Sequence, residues 1–270
     1  MISLLKFFLC GVLTSLLFPP FFITAIGFFI FPYFFYFIKN YKNGYRAHFL
    51  SGFFYGVGFL SIYLGWINEP FLLDENTKKF SFFSYFLIIY CSVFFGISFF
   101  ILKYFNNSFL KLTSIPLLFV SIEILINNLV YGFPWISFSL IHSANFFGTS
   151  IIFFIGTYGL SYLSIVIFLI PSIFFLDLKQ YKKISFLIIA CCIILLSLLI
   201  YIRMYNIEKS TNKNVTISMA QLNYTINQNL NQEGLWKKYQ NIVNIIKNET
   251  SELIIFGENN FPYIIDDLSY

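Results

Sequence analysis

Apolar residues in this chain come in long unbroken runs, not at the spacing of half-buried helices or strands. Seven such runs stand at roughly 3–18, 21–38, 48–67, 81–102, 109–130, 150–173 and 184–202. Each approaches the roughly 20 helical residues needed to cross about 30 Å of hydrocarbon. The pattern predicts an α-helical polytopic membrane domain of about seven spans over residues 1–202. The first two runs are the shortest, and Pro19-Pro20 between them predicts a tight turn closing a hairpin.

The pattern changes after Ile202, and residues 203–270 are polar and mixed. Val215–Gln221 alternates and predicts a strand. Leu235, Tyr239, Ile242, Val243 and Ile246 recur at helical spacing, so 233–248 predicts an amphipathic helix. Leu253–Phe256 predicts a second, buried strand, with Gly257 and Glu258 at its end. Strand, helix, strand is the opening of an α/β domain with neighbouring parallel strands. Two strands and one helix do not close a core, so the expectation is an incomplete domain, in a fragment or in a truncated or split gene.

Composition supports the membrane reading. Only 11% of residues are charged and mean hydropathy is +0.76, against about 25% charged in soluble domains. The 39 Phe, with abundant Ile, Lys and Asn, are read as codon bias. The net charge of +5 matters less than its placement. Lys39, Lys42, Arg46, Lys103, Lys111, Lys179, Lys182 and Lys183 flank loops on one side; the opposite loops hold only Lys78 and Lys79, balanced by Glu69, Asp74 and Glu75. The positive-inside rule puts the N-terminus in the cytoplasm and everything after Ile202 outside. Nothing resembles a nucleic-acid-binding face. Cys10, Cys91, Cys191 and Cys192 all sit in apolar runs and read as small buried hydrophobes. The first run lacks a small-residue cleavage site and reads as a retained span.

Several residues are candidates for chemistry. Glu258 stands just past a buried strand, where α/β folds place active-site groups, and can act as a general base; a helix cap or solvated loop acid is the plainer reading. Trp135, in Tyr131-Gly132-Phe133-Pro134-Trp135, reads as an interfacial anchor, with substrate binding as the alternative. His142 in the same loop reads as a hydrogen-bonded surface group rather than a proton carrier. Glu123 lies inside the fifth run, and an ionisable group there is costly. Its expected partners are the amides of Asn127 and Asn128, as a polar clamp between helices. Trp236, with Lys237 and Lys238, is either a headgroup contact or a core-facing aromatic beside two solvated lysines, and the second reading is preferred. No Gly-rich phosphate loop, Cys/His metal cluster or Ser-His-Asp pattern is present, so neither cofactor nor metal is expected. Three glycosylation sequons in an Asn-rich stretch are unremarkable by composition.

In order and spacing these features resemble the apolipoprotein N-acyltransferase family of Gram-negative bacteria. Phe18-Pro19-Pro20, Gly56–Trp66, Glu123 nine residues before Gly132-Phe133-Pro134-Trp135, Gly156–Ser161, Met219–Asn223 and Leu253–Pro262 carry the likeness. The resemblance implies an inner-membrane enzyme with a periplasmic nitrilase-like domain, begun here at 203–270. It implies acyl transfer from a phospholipid to the N-terminal amine of a diacylglyceryl-cysteine apolipoprotein, through a cysteine thioester. Membrane lipids are then partners and nucleic acid is not. The family uses a Glu-Lys-Cys triad, in which Glu258 would be the glutamate, acting as general base for the thiol. The lysine and cysteine of that triad have no counterpart in these 270 residues, so the chain alone is expected to be inactive. Gly257 and Phe256 replace a proline and a tryptophan, and Ile126 replaces an arginine. Trp236 is out of register with the family's Trp-Asp pair. These departures leave open a non-catalytic scaffold or degenerate relative that binds lipid or a partner protein. A transporter is disfavoured, because Glu123 is the only carboxylate within a span.

Overall fold

In the computed structural model, the described residues are 2–73, 75–129, 132–176, 188–189, 191–192, 195–196, 198–200, 202–203, 215–222 and 232–257. The chain divides into two compact units, Met1–Leu72 with Lys79–Glu208, and Leu73–Lys78 with Lys209–Tyr270.

The first unit is helical. Its main helices are α1 (Ile2–Ser15), α2 (Gly27–Asn40), α3 (Tyr45–Tyr63), α4 (Phe83–Leu102), α5 (Ser108–Leu129) and α6 (Phe146–Leu169). By length and composition, Phe83–Leu102, Ser108–Leu129 and Ser150–Phe175 can each cross a membrane. Tyr45–Tyr63 with Gly65–Leu72 makes a fourth if that pair, bent by 62°, is one broken span. Ser3–Ser15 is apolar but shorter. The hairpin differs from its expected outline. α1 stops at Ser15 and α2 starts only at Gly27, because residues between them are taken up by turns around a cis Pro19-Pro20 bond. Most of the seventh expected span lies outside the described residues.

Local chemistry sets several boundaries. Asn107 caps α5, its Oδ1 accepting the Phe109 amide at 2.8 Å. Asn145 caps α6 in the same way, its Oδ1 accepting the Gly148 amide at 2.8 Å. α6 is broken at Gly156, whose φ of 68° and ψ of −179° belong to a region essentially reserved for glycine.

α3 is the central helix, packed between α1 and α4. Its glycines permit the close approach. A Cβ on Gly58 would strike the Phe8 carbonyl of α1, and one on Gly56 would lie 2.9 Å from the Ser92 Cα of α4. Such small-residue contacts replace the hydrophobic drive that lipid removes. Between the helices the phenylalanines form the core: Phe7, Phe34, Phe99 and Phe119 are all at most 1% exposed. Their rings meet mostly edge-on or tilted, Phe7 with Phe99 at 6.0 Å and Phe34 with Phe119 at 5.9 Å. Whatever raised the phenylalanine count, the fold uses it. Cys10 and Cys91 are buried as expected, but Cys191 and Cys192 are exposed. An apolar run in a membrane helix turns part of its circumference outward to lipid, so lying in the run does not imply burial in protein.

In the second unit, strands β1 (Ile217–Ala220) and β2 (Leu253–Phe256) flank helix α7 (Gln232–Asn248). The strands pair in parallel, Ile217 opposite Leu253 and Ala220 opposite Phe256. This is the strand-helix-strand order and pairing that the sequence pattern predicts, but β2 is not the buried strand expected: Leu253 is 48% and Ile255 43% exposed, because one helix and one neighbouring strand cover only part of it. α7 buries Ile242, whereas Ile246 is 49% exposed.

Candidate functional site

The loop joining α5 to α6 is the most elaborate feature of the helical unit. Part of it leaves the surface. From Ile136 to Ile141 it turns back among the helices, and Ile136, Phe138 and Ile141 have no exposed surface. The Phe138 ring sits 5.2 Å from Phe119 of α5, 5.4 Å from Phe18 and 5.8 Å from Phe59 of α3. Residues Phe138–His142 form a short 3₁₀ turn.

Irregular backbone at that depth needs partners for its amides, since lipid offers none. Glu123 and Ser161 provide them. Glu123, itself 0% exposed, accepts the Phe138 amide on Oε1 at 2.6 Å. Its Oε2 accepts the Ser161 hydroxyl at 3.0 Å and the Ser137 hydroxyl at 3.4 Å. Ser161 Oγ in turn accepts the Ser139 amide at 2.8 Å, and the Ser137 and Ser139 hydroxyls lie 2.8 Å apart. One carboxylate thus ties three pieces of chain together: α5, the inserted loop and α6.

The expected partners of Glu123 were Asn127 and Asn128, and they are not its partners. Asn127 donates to the Tyr158 hydroxyl at 2.9 Å, and Asn128 donates to the Ile124 carbonyl at 2.7 Å. Glu123 points to the bundle interior, whereas Asn128, five residues on, is exposed on another face of α5. Ile126, where the resemblance sets an arginine, is fully buried in the apolar core. The sequence did carry a signal for the inserted loop. Ile136-Ser137-Phe138-Ser139 alternates apolar and hydroxyl residues, and those hydroxyls are an alternative to Asn127 and Asn128 as partners for the nearby carboxylate.

Trp135 stands at the mouth of this loop and is 53% exposed. Its ring packs edge-on to Trp66 at 5.2 Å, and its carbonyl accepts the Tyr63 hydroxyl at 2.7 Å. Two half-exposed indoles side by side suit the headgroup level of a bilayer. His142 is half-buried rather than a surface group. Gly148 packs so closely on it that a Cβ there would strike the His142 backbone carbonyl. Burial pushes the imidazole below its usual range.

In the second unit, the carboxyl ends of β1 and β2 lie side by side, the edge at which open α/β sheets hold ligands. Glu258 follows that edge but lies outside the described residues, which stop at Gly257. Trp236 is not core-facing, as the preferred reading had it. It is 51% exposed and stacks on Tyr239 at 5.5 Å, with Ile242 taking the buried position one turn further on. Lys237 pairs with Glu233 at 2.7 Å on the solvated face. The structure therefore brings Glu123 and Trp135 to one loop, whereas Trp236 stands in the other unit. Among the described residues, no group of His, Cys, Asp and Glu could hold a metal.

Comparison with known proteins agrees with the helical unit. No curated protein matches the chain. Residues 10–170, more than half of the 270, match the family of the apolipoprotein N-acyltransferase N-terminal domain. That stretch runs from α1 to the end of α6 and includes both Glu123 and the inserted loop. The chain is a helical membrane protein and belongs to the apolipoprotein N-acyltransferase family.

Proposed function

We propose that this protein takes part in transferring an acyl chain from a phospholipid to the N-terminal amine of a diacylglyceryl-cysteine lipoprotein. What supports the reading is the family match over 10–170, followed in the chain by a parallel strand pair whose second strand ends at Phe256, two residues before Glu258 in the sequence. In this proposal the helical unit spans the inner membrane about seven times with its N-terminus in the cytoplasm. Residues 203–270 open a periplasmic nitrilase-like domain.

The chemistry runs in two acyl transfers. Glu258, as general base, takes the proton of a cysteine thiol. The thiolate attacks the phospholipid ester carbonyl, forming a thioester and releasing the lysophospholipid. The α-amine of the acceptor then attacks the thioester, forming the amide and freeing the thiol. The four cysteines of this sequence are poor candidates for that thiol. Cys10 and Cys91 are buried in helices, and Cys191 and Cys192 sit in an apolar run before the polar unit. The thiol therefore comes from outside these 270 residues, and the chain by itself is inactive. Trp135, beside Trp66, is the proposed point of contact with the lipid-borne substrates, and Trp236 is a second surface for them.

The test is trapping of the thioester. The protein that supplies the thiol, mixed with this chain and a phospholipid of defined mass, is expected to gain one acyl mass that hydroxylamine removes. Glu258→Gln should lose that adduct. An adduct of undiminished yield in Glu258→Gln would remove Glu258 from its role, and turnover by the 270 residues alone would overturn the external thiol.

A further inference from the structure

An apolar groove of about 680 Å³ runs down the side of the helical unit, between α1, α2 and the turn that ends α6. Its volume is within the range of about 300–1,000 Å³ typical of small-ligand sites. Leu9 and Leu13 of α1, Phe29 and Tyr33 of α2 and Phe174 line it, and each is at least 42% exposed. A single cation, Lys6, stands in this lining. Its ammonium lies 5.1 Å from the centre of the Phe37 ring, and no carboxylate pairs with it among the described residues. The groove's Lys6 end is the basic end of the bundle. Lys39, at the end of α2, donates to the carbonyl of Phe175, another lining residue.

An apolar groove whose one cation has no carboxylate partner among the described residues matches one kind of occupant. We infer that the groove holds one acyl chain of an anionic phospholipid, with the lipid phosphate on Lys6. Each methylene taken up by such a surface is favourable, though lipid tails elsewhere in the bilayer compete for the same gain. Selection therefore comes from the headgroup. A juxtamembrane lysine favours an anionic lipid by about 1 kcal/mol, or about fivefold. The site is separate from the acyl-transfer reading, because neither Trp66 nor Trp135 nor any residue of the inserted loop is in its lining. It holds a lipid rather than consuming one.

The test is native mass spectrometry of the full chain in detergent. The probes are phosphatidylglycerol and phosphatidylcholine with identical chains. The expected result is retention of one phosphatidylglycerol, favoured about fivefold over phosphatidylcholine. Lys6→Gln should abolish the preference, and Lys6→Arg should keep it. Leu13→Trp, which fills the groove, should remove retention of both lipids, with Leu9→Trp as the alternative should that variant not fold. Leu117→Trp, on an exposed face of α5 outside the groove, should change nothing. Equal retention of the two lipids by the wild type, an unchanged preference in Lys6→Gln, or full retention after the groove is filled would overturn the inference.

Discussion

Replacing Glu123 by alanine removes the acceptor on which the inserted loop depends. The Phe138 amide, donated at 2.6 Å, then has no partner in a site with no exposed surface. A hydrogen bond to a charged acceptor contributes about 1.5–3 kcal/mol, and leaving a buried donor unsatisfied costs about 1–3 kcal/mol. The two hydroxyls lose less, because Ser137 and Ser161 lie within 3.4 Å of each other and Ser137 reaches Ser139. The expected loss for Glu123→Ala, the charged acceptor together with the stranded amide, is therefore about 3–5 kcal/mol. Glu123→Gln keeps an oxygen for the Phe138 amide, and serine hydroxyls can rotate to accept from its NH₂, so its loss should be about 1 kcal/mol. Thermal unfolding in detergent reads the difference. At about 2–4 °C per kcal/mol for a unit of this size, alanine should lower Tm by roughly 6–20 °C and glutamine by only a few degrees. Amide exchange at Phe138 gives the local reading and should accelerate in Glu123→Ala alone. The clamp would be refuted by an alanine variant as stable as the wild type with Phe138 still protected. Equal damage from glutamine and alanine would show that the charge, not the acceptor geometry, holds the loop.

Three further outcomes follow from the structure. Gly156→Ala forces a Cβ into φ 68°, ψ −179°, at a cost of about 1–3 kcal/mol, so Tm should fall; an unchanged Tm would mean that the break in α6 is not needed. Trp135→Ala removes the edge-on contact with Trp66, worth about 0.5–1.5 kcal/mol; it should change stability little and, with the thiol-supplying protein present, raise KM for the diacylglyceryl acceptor with kcat unchanged, and an unaltered KM would remove Trp135 as a substrate contact. Glu249 accepts the amides of Ser251 at 3.2 Å and Thr250 at 2.9 Å, which hold its carboxyl below the usual range. Its contribution is therefore present above the unfolded value of about 4.3 and lost as pH falls through the lower folded one; protection of the Ser251 and Thr250 amides should decline there in the wild type and show no such step in Glu249→Gln.

The elements that were legible in the sequence are those whose pattern is local. β2 stands at Leu253–Phe256, and α7 at Gln232–Asn248 is within one residue of its expected start, because an amphipathic stripe and a bounded apolar run need only near neighbours. The parallel pairing followed from the intervening helix. What escaped was set by distant contacts. The ends of α1 and α2 depend on turns around Pro19-Pro20, the outward face of Trp236 depends on Ile242 taking the buried position, and the partners of Glu123 lie 14 to 38 residues away. A loop with Gly, Pro and Trp looks interfacial by composition. Only the packing of Phe138 on Phe119 shows that part of it belongs to the interior.

The central claim is acyl transfer to lipoproteins, and it is tested most directly in cells depleted of their own apolipoprotein N-acyltransferase. The gene containing this sequence is expressed there together with the protein that supplies the thiol, and the N-terminal peptide of a resident lipoprotein is weighed by mass spectrometry. The expected result is a mass increase of one amide-linked acyl chain on the diacylglyceryl-cysteine, absent with Glu258→Gln. Lipoproteins that stay diacylated, with the protein present in the membrane at normal amount, would contradict the proposal.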